Sequence, residues 1–464
     1  MTKNNWWTVN PYTAEQIEYW NYSSPSEVDE ALSLLQSGFF DWQNKSVAER
    51  KQYLRPMAAL IRTDRLQIAT EMTHQMGKPL TQSLIEVDKV IDSITYFLDS
   101  VQETHFSSPD IYESRFQHQL RRRPLGIIWG IMPWNFPLWQ AFRMFFPCLL
   151  AGNTVLLKSS EITPSMGRWL QKIFDQLGSL KIFQHLMTSH DQTESIINDR
   201  RIAGVSLTGS TEAGRLVASL SGHSLKKSVF ELGGSDPYLV FPDCDLQKAA
   251  KKIIQSRMNN AGQVCIAAKR VIVHQSILNR FSQILSDEMN DWDFSDPMTK
   301  SCRLGPLAHH RFVQSYLDQC QQVEFLGKKI FEKKPPKDSL AAWVPSCMYQ
   351  LDLNQAVELK KMEIFGPALM IFPFHTTDQA IELANSTIYG LGAGIFSEDP
   401  LILKRAHEIQ AGTVVLNDVV KSRVEVPFGG WKDSGYGVEL GEWGLTEFTQ
   451  SQVISKFQGG RDVE

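Results

Sequence analysis

The 464-residue chain has no C-x-x-C pair, although it carries cysteines at 148, 244, 265, 302, 320 and 347. Without that spacing neither a zinc site nor a thioredoxin-like redox pair finds support, and no metal is expected. The opening stretch "MTKNNWWTVNPYTAEQ" has no apolar signal core, so export is not expected. Six cysteines in so long a chain then read as reduced thiols in a cytoplasm. An excess of one charge is also missing. The formal net charge of −4 gives no electrostatic case for nucleic acid or an anionic membrane as a partner. The short basic run Arg121 to Arg123 follows an alternating stretch and reads as a solvated strand edge. Internal repeats and low-complexity segments are absent. One charge-free stretch, "PLGIIWGIMPWNFPLWQAF" (124–142), has the length of a membrane span. Pro124, Pro133 and Pro137, with Asn135 and Gln140 between them, suit a strand, a turn and a helix start instead. No span is expected.

What is present is an ordinary globular composition, 42% hydrophobic and 21% charged, in a chain long enough for about three domains. The first hundred residues read as helices; "SPSEVDEALSLLQSGFFDWQ" opens on a serine-proline start signal and continues with apolar residues at helical spacing. After residue 115 short β-rich runs take over: "GIIWGIM", "TVLLK", "IAGVSLTGS", "KSVFEL" and "PYLVF", separated by helical stretches such as "PSMGRWLQKIFDQL". The rhythm resumes with "KRVIVH", "ALMIFPF", "GLGAGIF" and "GTVVLN". Strands alternating with helices predict an α/β fold with parallel sheets, in two layers. The tail "TQSQVISKF" reads as one more strand, with nothing after it to pair with locally.

Three clusters and a cysteine carry chemistry. In "LTGSTEAGR" a strand ending at Gly209 and Ser210 leads into a helix, whose free backbone N–H groups suit a phosphate. Neither the P-loop ending Lys-Ser/Thr nor G-x-G-x-x-G is there, so a plain tight turn reads equally well. In "FELGGSDP" a strand carries Glu231 to its end, where it is either a solvated terminus or a general base beside open backbone. In "IMPWNFPLWQ" Asn135 sits between two prolines, as a turn residue or as an amide donor for a developing oxyanion. In "NNAGQVCIAAKR", Cys265 stands among small and amide-bearing neighbours, where a free cysteine is either a small core hydrophobe or a nucleophile.

The combination resembles the aldehyde dehydrogenase superfamily along nearly the whole chain. "PWNFP", "GSTEAG", "ELGG", "GQVC", "EIFGP" and "PFGG" occur in that family's order and approximate spacing, and Glu231 precedes Cys265 by 34 residues. With "RPLG", "PWNFPLWQ" and "ELGGSDP", the pattern is most similar to bacterial succinate-semialdehyde dehydrogenases. The resemblance implies that Cys265 attacks the aldehyde to give a thiohemiacetal, and that hydride loss to the nicotinamide leaves a thioester. It assigns the oxyanion hole to the Asn135 amide and the Cys265 backbone N–H, and hydrolysis to water activated by Glu231. Trp134, Lys158 and Glu161 match positions around the cofactor's adenosine. Gly209 and Ser210 match the pyrophosphate turn, while Glu363 and Phe365 match residues beside the nicotinamide ribose and ring. Ser159 replaces the family's usual proline, but Glu161 remains, and a carboxylate there favours NAD while leaving NADP possible.

For the substrate, Arg143 matches an arginine that succinate-semialdehyde dehydrogenases set on the substrate carboxylate. A helix-end arginine paired with a carboxylate of the protein is the other reading. A second arginine found in some members is Asn259 here, and Arg257 and Arg423 stand as possible compensators. The expected reaction is therefore succinate semialdehyde to succinate. Another small aliphatic or amino aldehyde is the alternative. A catalytically silent binding paralogue is disfavoured by the joint presence of Cys265, Glu231 and Asn135. The resemblance further implies an NAD-binding domain from 1–103 and 125–231 and a catalytic domain from 232–443. A bridging element from 104–124 and 444–464 would complete the chain, its last strand pairing in another subunit of a homodimer or homotetramer.

Overall fold

The computed structural model describes residues 5–113, 115–337, 339–356 and 358–458. The first layer is a six-stranded sheet with the order Gly435–Tyr436, Lys227–Glu231, Ile202–Thr208, Ile127–Ile131, Thr154–Lys158, Phe183–His185. All neighbours run parallel except the short first strand. The central strands are apolar throughout because both faces are covered. Ile127 and Trp129 point into one core with Leu35, Leu156 and Val205, whereas Ile128 points into another with Phe142, Val155 and Leu157. Helix Pro25–Trp42, started by a capping box between Ser24 and Glu27, buries Val28, Ala31, Leu32 and Leu35 against the first of these faces. The chain leaves strand Ile127–Ile131 toward Thr154–Lys158 on one side and later returns to Ile202–Thr208 on the other. In a doubly wound sheet such a reversal opens a crevice at the carboxyl ends of the strands.

The second layer is a seven-stranded sheet ordered Lys328–Lys333, Ser346–Gln350, Ala368–Phe374, Ala268–His274, Asp236–Val240, Gly392–Phe396, Thr413–Leu416. Only its Lys328–Lys333 edge is antiparallel. A third, small sheet joins Ile111–Glu113, Phe116–Pro124 and Thr449–Phe457. The exposed guanidine run Arg121 to Arg123 lies on its middle strand.

Three expectations change. Residues 5–21 form an antiparallel hairpin, Asn5–Val9 with Gln16–Asn21, rather than helix, because Trp6 pairs with Trp20 and Trp7 with Tyr19 across the strands. The tail strand Thr449–Phe457 pairs within its own chain, residue for residue with Phe116–Pro124. The chain also re-enters the first layer well before residue 443. Gly435 pairs with Glu231, and Phe428, Leu440 and Leu445 pack in the first layer's core.

Candidate active site

Two strand ends of the first sheet supply the first half of the site. After Ile127–Ile131 the chain turns through Pro133 and enters helix Pro137–Leu150, which holds Asn135 at the mouth of the crevice, almost fully buried. The Asn135 carbonyl accepts from the Asn260 amide at 3.0 Å, and its side-chain amide donates to the Gln263 carbonyl at 2.9 Å. One N–H of that amide is thus fixed, which orients the other. Glu231 ends the strand two places away and is 1% exposed. Among the described residues neither of its carboxylate oxygens has a hydrogen-bond donor. Burial holds its carboxyl well above the ordinary range; Arg143, 3.9 Å away, pulls it back and Glu439 pushes it further up.

The amino edge of the second sheet supplies the other half. Helix Leu246–Met258 ends in a tight turn where Asn260 (φ 49°), Ala261 (φ 52°) and Gly262 (φ 75°) are left-handed, and the chain passes Cys265 before strand Ala268–His274. Arg257, fully buried, holds this turn: its guanidinium donates to the carbonyls of Gly262 (2.6 Å), Ile364 and Gly366. Lys269 donates to the carbonyls of Val264 (2.9 Å) and Cys265 (2.6 Å) and lies 3.3 Å from the Glu363 carboxylate. A Cβ on Gly234 would stand 2.6 Å from the Cys265 carbonyl oxygen, so the "ELGG" turn reaches the Cys265 loop only as glycine. Of the six cysteines, five are buried and Cys265 alone is partly open. Burial pushes its thiol up to about 12, against the opposing charges of Arg143 and Lys269.

The residues matched to a cofactor fall into two groups. Lys158 ends strand Thr154–Lys158, with its ammonium 3.6 Å from Glu161, whose carboxylate also accepts from the Tyr22 hydroxyl at 3.3 Å. Ser210 caps helix Thr211–His223 by accepting from the Ala213 N–H, and Gly209 directly precedes it. The Trp134 ring stacks on Phe312 and meets Phe365 edge-on. The aromatic pair Trp134–Phe365 therefore belongs at the end of the crevice where Glu363 accepts from the Gly234 N–H at 3.0 Å. Spacing within "PWNFP" could not reveal which ring Trp134 would meet.

A cavity of about 850 Å³ opens on Cys265 from the other side, lined by Phe136, Trp139, Arg143 and Phe428 at its floor. Arg143 is 3% exposed and ion-paired to Glu439, with the Phe428 ring 4.8 Å from its guanidinium. Arg257 does not reach this cavity; Asn259 and Arg423 line it. Three residues that pattern reading passed over also matter here. Glu439 partners Arg143, Lys269 ties the Cys265 loop to Glu363, and Lys89 lines the cavity from helix Leu80–Ser100. "DKVID" carries no signal beyond helical spacing, and "GVELGE" lay beyond the quoted motifs. Among the described residues no group of histidine, cysteine and carboxylate side chains could hold a metal ion, and no helix is long and apolar enough to cross a membrane.

The family model for the aldehyde dehydrogenase family matches residues 2–454. The chain is 34% identical over 452 residues to the NADP(+) succinate-semialdehyde dehydrogenase 1 of Mycobacterium ulcerans, covering 96% of this chain and 98% of that one. An aldehyde dehydrogenase of Paenarthrobacter nicotinovorans is 32% identical over 454 residues, with the same coverage. Among solved structures, the succinic semialdehyde dehydrogenase of Streptococcus pyogenes in complex with NADP+ superposes with a TM-score of 0.92 at 31% identity, covering 97% of this chain and 99% of that chain. The betaine aldehyde dehydrogenase of Staphylococcus aureus in complex with NAD+ gives 0.91 at 27% identity, covering 99% and 93%.

Proposed function

The chain belongs to the aldehyde dehydrogenase family, and from that premise we propose that it oxidises succinate semialdehyde to succinate with NAD(P). The observation that carries the reading is the one partly open cysteine, Cys265, at the meeting of a buried amide, a buried unpartnered carboxylate and a cavity rich in lysine and arginine. NAD(P), when bound, supplies the hydride acceptor. The residues present fit it. The crevice lies at the strand reversal, with the N-terminus of helix Thr211–His223 at its edge for a pyrophosphate and the Glu161 carboxylate for a ribose.

The protein's own groups then divide the work. Cys265 loses its proton and attacks the aldehyde carbon, against burial that favours the thiol. The second N–H of the Asn135 amide and the backbone N–H of Cys265 receive the oxygen that gains charge. Glu231, once ionised, takes a proton from the water that cleaves the thioester. Its lack of any hydrogen-bonded partner leaves it free for that proton. Arg143 and Glu439 hold opposite charges beside it and set its proton affinity.

A steady-state panel of aldehydes with and without a terminal carboxylate, run with NAD and NADP, tests this reading. Succinate semialdehyde should give the highest kcat/KM; a neutral or amino aldehyde in first place would replace it as substrate. A homodimer or homotetramer in the cytoplasm is part of the same proposal. Support comes from the open edge strand Thr449–Phe457, where Val453, Ile454 and Phe457 are exposed, and from six unbridged cysteines. A monomer by light scattering, or a chain found outside the cytoplasm on cell fractionation, would contradict it.

A further inference from the structure

Resting on the succinate-semialdehyde reading, we infer that Lys89, rather than Arg143, is the cation that receives the distal carboxylate of the aldehyde. The two cations differ in what already holds them. Arg143 is buried with Glu439 against its Nε, Glu231 3.9 Å from its Nη2, and the Thr208 hydroxyl accepting at 3.5 Å. Glu439 already balances it. Turning it to a substrate anion would strand Glu439 in a dry space, which is costly for a buried charge.

Lys89 is placed differently. It is half-buried, lines the same cavity as Cys265, and forms no ion pair among the described residues. The nearest acid in sequence, Glu86, is taken: Lys78 holds one oxygen at 2.5 Å and the N–H groups of Leu138 and Trp139 hold the other. The Lys89 ammonium donates to the carbonyl and hydroxyl of Ser422 at 2.8 and 3.0 Å and lies 3.7 Å from the centre of the Trp139 ring. Three neutral contacts thus fix an ammonium that has one N–H left and no counter-ion. Such a group, held over an aromatic floor beside a reactive cysteine, is a receptor for an anion.

The walls agree. Lys248, Lys251, Lys421 and Arg423 also line the cavity, while its Asp418 is neutralised by Lys252 at 2.5 Å. A chain of net charge −4 has therefore gathered cations around one opening, which draws an anion inward. Burial pulls Lys89 down to about 7; Arg143 and Arg423 act in the same direction, and Glu86 and Glu425 oppose them. An incoming carboxylate would stabilise the protonated form. Below about pH 7 the receptor is charged, and above it the charge is progressively lost.

The test measures kcat/KM for succinate semialdehyde and for butanal, which has no carboxylate, in the wild type, Lys89→Met, Lys89→Arg and Arg143→Met. Lys89→Met should lower the succinate-semialdehyde value roughly ten- to a hundredfold, chiefly through KM, the usual reach of a charge-assisted hydrogen bond. Butanal, the internal control for folding and for Cys265, should change less than about threefold. Lys89→Arg should restore much of the preference, and Arg143→Met should depress both aldehydes together. In the wild type the ratio of the two kcat/KM values should fall as pH rises through about 7, and in Lys89→Met it should be flat. A wild-type preference for succinate semialdehyde that survives Lys89→Met overturns the inference alone. A wild type without that preference overturns the substrate reading and the inference with it.

Discussion

Burial pushes the Cys265 thiol up to about 12, which leaves it protonated in the free enzyme near neutral pH, and it raises the Glu231 carboxyl well above its ordinary range. The rate of attack is then governed by how readily the thiol proton leaves, and Arg143 and Lys269 are the charges that ease it. Glu161 stands 3.6 Å from Lys158. If it faces the adenosine ribose, as proposed, it would cancel the charge that a 2′-phosphate would seek. The enzyme is expected to give its higher kcat/KM with NAD, although the Mycobacterium relative is an NADP(+) succinate-semialdehyde dehydrogenase and the Streptococcus structure is a complex with NADP+. Glu161→Ser should cut the NAD-to-NADP ratio by roughly tenfold, the effect of about 1.4 kcal/mol. A ratio unchanged by the substitution would assign cofactor choice to other residues.

At the scale of elements, two tight turns are pressed together so that Cys265, before a strand of one sheet, comes to the strand end of the other that carries Glu231. Gly234 is the point of contact. Gly234→Ala would set a methyl group 2.6 Å from the Cys265 carbonyl oxygen and 3.1 Å from Asp236 Oδ1. Overpacking of this kind costs about 1–3 kcal/mol, so the melting temperature should fall and kcat with it. Gly222→Ala is the control: it lies in helix Thr211–His223 with nothing within 4 Å, and should stabilise by about 0.5–1 kcal/mol. Equal melting temperatures for the two variants would contradict the packing described. The elements themselves were largely legible in the sequence. "TVLLK", "ALMIFPF" and "TQSQVISKF" coincide with strands Thr154–Lys158, Ala368–Phe374 and Thr449–Phe457, and "PSMGRWLQKIFDQL" with helix Pro164–Leu177. Strands buried on both faces are continuous apolar runs between turns, which is a strong signal. The two-residue strand Gly435–Tyr436 has no period to detect, and the aromatic hairpin at residues 5–21 depends on cross-strand pairs that only the fold reveals. In the site, motif spacing led to Cys265, Glu231 and Asn135, but Lys89 comes from a distant helix and Glu439 from a bridge residue far along the chain, whose approach no local pattern encodes.

For the whole molecule, the arrangement is a crevice between the carboxyl edge of one parallel sheet and the amino edge of another. Asn135 and Glu231 come from the first and Cys265 from the second. Hydrogen bonds between Asn135 and the Asn260–Gln263 turn hold the two edges together at the reacting atoms. On the proposed mechanism a thioester forms on Cys265, and Glu231, across the crevice, is needed to cleave it. Rapid-quench mass spectrometry of Glu231→Gln, mixed with NAD and succinate semialdehyde, reads that step. A burst of NADH of about one equivalent per site is expected. Slow turnover should follow, with a succinyl group retained on the peptide that carries Cys265. An acyl group on any other residue, or steady turnover at the wild-type rate with no acyl-enzyme at all, would contradict it.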